Sequence, residues 1–390
     1  MFEKSKNDLK ILYVTPSSIR DTGVAAYALK FKEHIEKADL YNVKMEFCLL
    51  GIHINFFREL IHLRKGIPDL SKDFHLIHAE LSSSSQKEFW ILYFLINRYP
   101  SIPVIITVHD APYLCLNPFY INWLKKYNNF LPIKVLRKML EIGVGYWVER
   151  KIMKKTRVVF ATTRCGAKEI KKRFPQMKNI FYLPHISFYE KEFKENDEKD
   201  EYILFFGFIR KGKGLEILIE AFQRLILQNG FNQLRLVICG GYKRDHYYHY
   251  ILKKIKDLNL EKKVVITNFV DEKEVIHLLN KSLCCVFPYE NKKTISSSGA
   301  VIRALSAGCP IVISNISMLT EYVKNGQNGL VFQENNSEDL YCKLLTLLKD
   351  KQLRENLSKN AIEYIKKKHN NHVIAEKVIQ MYNEVLNHKV

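Results

Sequence analysis

The chain has 390 residues, of which 47% are hydrophobic and 26% charged, and this ordinary mixture excludes a disordered, collagen-like or coiled-coil protein. Its 61 lysines and arginines exceed its 41 aspartates and glutamates, and the resulting net charge of +20 indicates an anionic partner. The eight cysteines form no Cys-x-x-Cys pair and most lie in apolar runs, which favours a reducing compartment over a zinc site or a disulfide framework. The first ten residues are polar and no apolar run reaches the ~20 residues that span a bilayer, so we expect a cytoplasmic protein.

Short runs rich in Val, Ile, Phe and Tyr alternate with helical patterns along nearly the whole chain, which is typical of β-α-β units and a parallel sheet. In the first half, strands are predicted at residues 11–14, 44–49, 76–79, 104–108, 158–161 and 180–183. In the second half, they are predicted at 202–206, 235–239, 264–267, 283–287, 310–313 and 329–332. After the last strand, residues 341–348 and 358–386 have helical spacing.

Between the two halves, residues 187–200 are dominated by glutamate, lysine and aspartate and cannot form a buried element. This segment is the predicted linker between an N-terminal domain, residues 1–186, and a C-terminal domain, residues 201–365. The predicted fold class is therefore α/β, with two doubly wound, Rossmann-like domains facing a cleft. In such folds, phosphate-bearing ligands bind at the carboxyl ends of the strands.

The first candidate site follows strand 202–206, where Gly-Phe-Ile-Arg-Lys-Gly-Lys-Gly runs from Gly207 to Gly214 and leads into a predicted helix. Glycines let the backbone approach a ligand closely, and Arg210, Lys211 and Lys213 can neutralise a diphosphate that gains charge as it leaves. The loop matches neither the Walker nor the dinucleotide fingerprint. An ordinary solvated basic turn is the alternative.

The second candidate site follows strand 283–287, where Ser298 precedes a helix that is predicted to start near Gly299. Free backbone N–H groups and the positive end of the helix dipole make such a start an anion site. An ordinary N-cap is the alternative. Two anion sites at strand ends of one sheet favour a phosphate ligand.

A third candidate is the pair His109 and Asp110 at the end of strand 104–108. A histidine there can contact a ligand hydroxyl or assist proton movement, and a hydrogen-bonded structural histidine is the alternative. Near the start of the chain, Asp21, Thr22 and Gly23 form a predicted turn before the first helix, where Gly23 can approach a ligand.

Taken together, the motifs from Tyr202 to Phe332 resemble the nucleotide-binding domain of the group 1 (family 4) retaining glycosyltransferases of GT-B fold. The motifs that carry the resemblance are Phe206 to Arg210 with Lys213-Gly214, Val237 to Gly241, Phe269-Val270, Pro288-Tyr289, Ser298-Gly299, Ala307 to Val312, Glu321 and Asn325 to Gly329. In the first domain, Gly23-Val24 and Thr107 to Asp110 fall where the family places a glycine loop and a histidine of the catalytic cleft.

This resemblance implies a retaining hexosyltransferase that needs neither a metal nor a cofactor. It would move a sugar from a nucleotide-diphosphate sugar to a glycan or lipid-linked acceptor, in envelope or exopolysaccharide biosynthesis. The implied catalytic residues are His109, Asp110, Arg210 and Lys213. The implied donor-binding residues are Gly23, Gly207, Arg210, Lys213, Gly240, Val270, Ser298, Gly299, Ala300 and Glu321. The family also implies that the final helix, residues 366–390, returns to the N-terminal domain.

One departure from the family concerns two glutamates that many members carry seven residues apart around the second site. Here Arg303 stands at the second position, and Ile295 or a neighbour replaces the first. The donor sugar therefore stays open, and a catalytically inactive sugar-nucleotide-binding protein is an alternative function.

Residues 122–157 combine tryptophans and aliphatic residues with many lysines and arginines, and residues 56–65 do so on a smaller scale. Such helices can lie on an anionic membrane surface, which predicts a peripheral location on the inner face of the cell membrane. A helix packed on the sheet with a solvated basic face is the alternative. Nucleic-acid binding would also suit the net charge. The sequence contains no nucleic-acid-binding motif, however, so we do not expect nucleic acid as a partner.

Overall fold

The computed structural model describes residues 9–16, 23–38, 43–48, 74–119, 131–188, 200–291 and 294–388. The chain forms two compact units. Unit 1 contains the chain up to Ile186, the short segment Thr294–Ser297 and the chain from Asn371 onward. Unit 2 contains the segments Ser187–Lys293 and Ser298–Asn370.

The elements before Ile186 alternate between strands and helices, with a π-helical turn at Glu141–Gly145 between α3 and α4. They are β1 (Leu9–Val14), α1 (Gly23–Lys37), β2 (Val43–Phe47), β3 (Leu76–Leu81), α2 (Gln86–Arg98), β4 (Val104–Val108), β5 (Asp110–Ala111), α3 (Leu131–Leu140), α4 (Tyr146–Lys155), β6 (Thr156–Ala161), α5 (Arg164–Arg173) and β7 (Ile180–Tyr182).

The later elements alternate in the same way and end in three helices. They are β8 (Tyr202–Phe206), α6 (Leu215–Ile226), β9 (Arg235–Cys239), α7 (His246–Asp257), β10 (Val264–Thr267), α8 (Glu272–Lys281), β11 (Cys284–Phe287), β12 (Ile295–Ser296), α9 (Gly299–Ser306), β13 (Ile311–Ser314), α10 (Ser317–Thr320), β14 (Leu330–Phe332), α11 (Ser337–Lys349), α12 (Lys351–Lys368) and α13 (Asn371–Leu386).

Unit 1 is built on a six-stranded sheet in the order β2-β1-β3-β4-β6-β7, with every neighbouring pair parallel. Successive strand residues point to opposite faces, and both faces are apolar, as expected for a parallel sheet covered by helices on both sides. Leu12 and Val14 pack with α2 and α4 on one face, whereas Ile11 and Tyr13 pack with α1 and α13 on the other. The two-residue strand β12 pairs antiparallel with β5 in this unit.

Unit 2 repeats this plan with a sheet in the order β10-β9-β8-β11-β13-β14, again parallel throughout. Its strands read as continuous apolar runs because they are buried on both faces, as in Val286 and Phe287 of β11. The predicted fold class, α/β with two doubly wound parallel sheets, is confirmed.

The C-terminal helices differ from the sequence pattern in one respect. The helical spacing predicted over residues 358–386 is interrupted at His369, where α12 ends, and α13 begins at Asn371. His369 is 1% exposed, and its ring packs against Tyr322 and Tyr364 of unit 2. The break therefore lies where the chain passes from unit 2 to unit 1. No helix among the described residues is both long and apolar enough to cross a bilayer.

Candidate functional site

The loops that follow β8 and β9 are held together through two glycines with positive φ. Gly207 has φ 146° and donates its N–H to Cys239 O at 2.9 Å. Gly240 has φ 152°, and a Cβ atom there would lie 2.0 Å from Gly207 O. The approach requires a glycine at 240, and it packs the two loops together at the edge where the parallel strands β8 and β9 end.

The basic loop between β8 and α6 packs against the chain that leaves β11. Gly214 precedes α6 in a left-handed conformation with φ 64°, and a Cβ atom there would lie 1.8 Å from Pro288 O. Glu290 N donates to Gly212 O at 3.2 Å, which adds a second link between the two segments. The loop that carries Arg210 and Lys213 is therefore fixed by backbone contacts rather than solvated on all sides.

Tyr289 connects this loop to the start of α9. The Lys213 ammonium lies 3.4 Å from the centroid of the Tyr289 ring. Tyr289 is 2% exposed, and its hydroxyl, which lies near Ser298, has no hydrogen-bond partner among the described residues. Burial raises the pKa of Tyr289, against the smaller opposing effects of Ser298 and Arg210, so the hydroxyl keeps its proton.

The start of α9 has the geometry that the sequence predicts. Ser298 is the N-cap, and its hydroxyl accepts a hydrogen bond from Val301 N at 3.4 Å. The first N–H groups of a helix, here those of Gly299 and Ala300, have no partner within the helix and point outward with the positive end of the dipole. Together with the basic loop, this start supplies donors and positive charge at the carboxyl edge of unit 2.

Arg303 lies on α9 where a glutamate stands in many group 1 enzymes, and its side chain is occupied by other contacts. Its Nε and Nη2 donate to the two carboxylate oxygens of Glu272 at 3.1 and 3.4 Å. Its guanidinium also lies 3.6 Å from the centroid of the Phe188 ring. The arginine therefore links α9 to the first residue of α8 and to the chain that enters unit 2.

Two other predicted donor-binding residues lie at the ends of elements of unit 2. Val270 is half-buried in the loop between β10 and α8. Glu321 follows the four-residue helix α10 as its C-cap.

In unit 1, Gly23 is the first residue of α1, and a Cβ atom there would meet nothing within 4 Å. Steric crowding among the described residues therefore does not require glycine at this position. Asp21 and Thr22 lie outside the described residues, as do residues 56–65 and most of the predicted linker.

His109 follows β4 and is 5% exposed. Its Nε2 lies 2.7 Å from Glu80 Oε2, and Tyr13 donates its hydroxyl to Glu80 Oε1 at 2.7 Å. Burial alone would raise the pKa of the fully buried Glu80, but the bonds from His109 and Tyr13 and the proximity of His78 outweigh it and lower the pKa. Glu80 is therefore an ionised carboxylate in the middle of the sheet.

The carboxylate that pairs with His109 is thus Glu80 and not the adjacent Asp110. Asp110 Oδ2 instead accepts hydrogen bonds from Ser83 N at 2.9 Å and from Ser83 Oγ at 2.6 Å. Sequence analysis missed Glu80, although a glutamate within the apolar run of β3 is a signal, since a buried charge needs a partner.

The same polar cluster extends through His78 to the last helix. His78 Nδ1 lies 2.6 Å from the Tyr382 hydroxyl of α13, and Nε2 lies 2.8 Å from Thr107 Oγ1. Burial lowers the pKa of His78 to about 4, against the opposing effect of Glu80, so this histidine is neutral at pH 7. The cluster therefore links α13 to β3, which carries Glu80, and to β4, which precedes His109.

Helices α3 and α4 and the π-helical turn between them expose a surface that is both apolar and basic, which we call the basic apolar face. Its exposed apolar members are Val135, Leu136, Met139, Ile142, Val144, Tyr146 and Trp147. Its exposed basic members are Lys138, Arg150, Lys154 and Lys155. Residues 122–130 of the predicted surface lie outside the described residues, and the described part has the predicted character.

The fold is similar to that of several solved structures. The structure is similar to sucrose-phosphate synthase from Thermosynechococcus elongatus, with a TM-score of 0.71 at 16% identity over 97% of this chain and 99% of that one. It is also similar to the Anabaena protein HepE in complex with UDP and glucose, with a TM-score of 0.67 at 13% identity over 96% and 100% of the two chains. These likenesses define a GT-B fold.

The second half of the sequence matches a known family. Residues 188–364 match the family model of glycosyl transferases group 1, in agreement with the resemblance. The chain is 31% identical over 159 residues to the Campylobacter jejuni N-acetylgalactosamine-N,N'-diacetylbacillosaminyl-diphospho-undecaprenol 4-alpha-N-acetylgalactosaminyltransferase, a match that covers 40% of each protein. The chain spans about half the length of most of the curated relatives it matches.

Proposed function

We propose that this protein is a retaining hexosyltransferase that moves a sugar from a nucleotide-diphosphate sugar to a glycan or lipid-linked acceptor. The proposal rests on the carboxyl edge of the unit 2 sheet, where Lys213 lies over the ring of the buried Tyr289 and Ser298 caps the start of α9. A cation and a helix start at one edge of the sheet suit a diphosphate.

In the proposed reaction, the bond between the anomeric carbon and the diphosphate oxygen breaks, and the anomeric carbon bonds to the acceptor oxygen. The departing diphosphate gains negative charge as its bond breaks, and one of its oxygens takes up the proton that the acceptor hydroxyl loses. Arg210 and Lys213 stabilise that charge together with the first N–H groups of α9, with the help of Gly207 and Gly240, which hold the loops in place. These cations take the role of a metal ion, so we propose that transfer needs no added metal or cofactor.

Unit 1 contributes His109 and Asp110 to the proposed reaction. His109 contacts a substrate hydroxyl, and Asp110 holds the loop at Ser83 that lies beside it in the fold. Gly23 at the start of α1, and Val270 and Glu321 in unit 2, complete the proposed donor-binding set. We propose the domain division 1–186, 187–200, 201–365 and 366–390 for this activity.

The acceptor is proposed from the names of the relatives and from the basic apolar face. The Campylobacter relative is named for transfer to a diphospho-undecaprenol-linked sugar. The basic apolar face combines exposed Trp147 and Met139 with surrounding cations, the combination that lies in the headgroup region of an anionic membrane. We therefore propose a lipid-linked acceptor in envelope or exopolysaccharide biosynthesis and a peripheral location on the inner face of the cell membrane.

The test of the donor site is calorimetric binding of UDP, GDP, ADP and their glucose, mannose and N-acetylglucosamine conjugates. We expect one nucleotide to bind selectively and Lys213→Ala to weaken its binding about tenfold or more. Lys211→Ala removes an exposed cation from the same loop and serves as the matched control, with a change below about threefold.

Four further results separate the alternatives. Binding of no nucleotide by the wild type would reject the donor site. Binding of a nucleotide without sugar transfer to any lipid-linked or glycan acceptor would favour an inactive sugar-nucleotide-binding protein. That alternative is suggested by Arg303, which stands where many members of the family have a glutamate. The anomeric configuration of the product, read by NMR, tests retention, and activity in a chelator tests independence from metal.

A further inference from the structure

The buried contact between His109 and Glu80 fixes where the proton lies on the imidazole ring. Glu80 is fully buried and ionised, and an ionised carboxylate can only accept hydrogen bonds. The 2.7 Å contact therefore requires that His109 Nε2 carries the proton and donates it to Glu80 Oε2. In the neutral ring, the lone pair then lies on Nδ1.

The rest of the environment holds the ring in this orientation. The Tyr27 ring of α1 packs edge-on against the imidazole, with centroids 4.8 Å apart and an interplanar angle of 77°. His78, which also lies near Glu80, is engaged at both ring nitrogens by Tyr382 and Thr107 and does not compete for the Glu80 oxygen that His109 uses. Among the described residues, His109 Nδ1 has no hydrogen-bond partner, and the side chain is 6% exposed.

We propose that Glu80 is a positioning residue for sugar transfer, which holds His109 as the Nε2-protonated tautomer so that Nδ1 accepts a hydrogen bond from a substrate hydroxyl. The inference rests on the proposed function. The proposal adds Glu80 of β3 to the site. It also fixes the direction of the hydrogen bond between His109 and the substrate, because the ring nitrogen accepts this bond rather than donating it. Tyr13 stabilises the carboxylate by a hydrogen bond to its other oxygen, and Tyr27 packs against the His109 ring.

The first test is the 15N NMR spectrum of the wild type labelled in histidine, recorded at pH 8, where an unperturbed histidine is neutral. The two ring nitrogens have distinct shifts in each tautomer, and the His109 signals are assigned by their loss in His109→Asn. We expect a proton on Nε2 and none on Nδ1. A proton on Nδ1, in the other tautomer or in a doubly protonated ring, would overturn the proposal without any variant at Glu80.

The second test is the kinetics of Glu80→Gln, which keeps the size of the side chain but removes the charge that dictates the tautomer. We expect kcat to fall about 10- to 100-fold while the KM for the donor and the affinity for the nucleotide stay within about twofold. Tyr13→Phe is the matched variant, since it removes one hydrogen bond from Glu80 and leaves the carboxylate and its bond to His109. We expect Tyr13→Phe to keep the Nε2-protonated tautomer of His109, even if the melting temperature of this variant falls as much as that of Glu80→Gln.

The outcomes distinguish this inference from the proposed function. A wild type that transfers no sugar from any donor would reject the proposed function. A wild type that transfers sugar while Glu80→Gln retains full kcat would reject the positioning role of Glu80.

Discussion

The ammonium group of Lys213 lies 3.4 Å from the centroid of the Tyr289 ring, over a side chain that is 2% exposed. A lysine held on a buried aromatic face has lost much of its conformational freedom before a ligand arrives, so less is lost on binding. The ring, more than the hydroxyl, is what positions the cation.

This contact predicts different effects for two substitutions of Tyr289. Tyr289→Leu removes the aromatic face, and we expect nucleotide affinity to fall about 3- to 30-fold, since a desolvated cation–π contact contributes about 0.5–2 kcal/mol. Tyr289→Phe keeps the face, and we expect calorimetric affinity within about threefold of the wild type. Equal losses in both variants would assign the effect to the hydroxyl.

The close approach of Gly240 to Gly207 predicts a large loss of stability in Gly240→Ala. The new Cβ atom would lie 2.0 Å from Gly207 O, so the two loops must move apart. We expect the free energy of unfolding to fall by about 3 kcal/mol or more. Gly326→Ala is the control, because Gly326 has φ 74° with nothing within 4 Å of a Cβ atom, and strain alone costs about 1 kcal/mol. Equal melting temperatures for the two variants would contradict the steric argument.

The neutral, buried His78 predicts that unit 1 loses stability as the pH falls from about 6.5 to about 4. Over that range, the unfolded chain binds a proton at residue 78 and the folded chain does not, because burial lowers the pKa of His78 to about 4. The loss amounts to roughly 3 kcal/mol over the whole range. The lowered pKa of Glu80 acts in the same direction below its unfolded pKa.

Denaturant unfolding followed by tryptophan fluorescence measures this effect in unit 1, because all three tryptophans, Trp90, Trp123 and Trp147, lie in the first half of the chain. His78→Gln cannot titrate, and its unfolding free energy should decline less over this pH range. An unchanged slope in the variant would show that His78 is not the group responsible.

The contacts of Arg303 predict that restoring a glutamate at this position destabilises unit 2. Arg303→Glu loses the contact with Phe188 and places a carboxylate near Glu272, and we expect a loss of about 1–2 kcal/mol. Because Glu272 is half exposed, solvent weakens its ion pair with Arg303, and the pair contributes only a small part of this loss of stability. The double variant Arg303→Glu with Glu272→Arg should recover part of the lost melting temperature. No recovery would show that the destabilisation comes entirely from the lost contact with Phe188.

The basic apolar face predicts binding to anionic vesicles. Trp147→Ser combined with Met139→Ser should reduce cosedimentation with vesicles that contain about one-third phosphatidylglycerol by fivefold or more, because both side chains are more than half exposed in the wild type. Leu227→Ser removes an apolar side chain that is 75% exposed in unit 2, and it should bind as the wild type does. Equal sedimentation of all three proteins would locate the membrane contact elsewhere.

Much of the fold could be predicted from the sequence because parallel strands buried on both faces read as uninterrupted apolar runs. The predicted bounds of β4, β8, β9 and β10 match the structure. The glycine loop and the Ser298 cap were also predictable, since backbone conformation dictates those residue types. The partnership of Glu80 with His109 was not predictable, because it joins residues 29 positions apart, one on β3 and one just after β4, and only the folded sheet provides the register of these two strands.

The place of α13 in unit 1 has a consequence for synthesis on the ribosome. Tyr382 and Ile379 belong to the core that also contains Tyr13 and Phe31, yet the whole of unit 2 is translated before them. At a translation rate of about 5–20 residues per second, the interval between Ile186 and Asn371 lasts roughly 10–40 s. During that time the nascent N-terminal unit lacks the apolar residues of α13 in its core and the Tyr382 partner of His78, which leaves apolar surface open to aggregation until the last helix emerges.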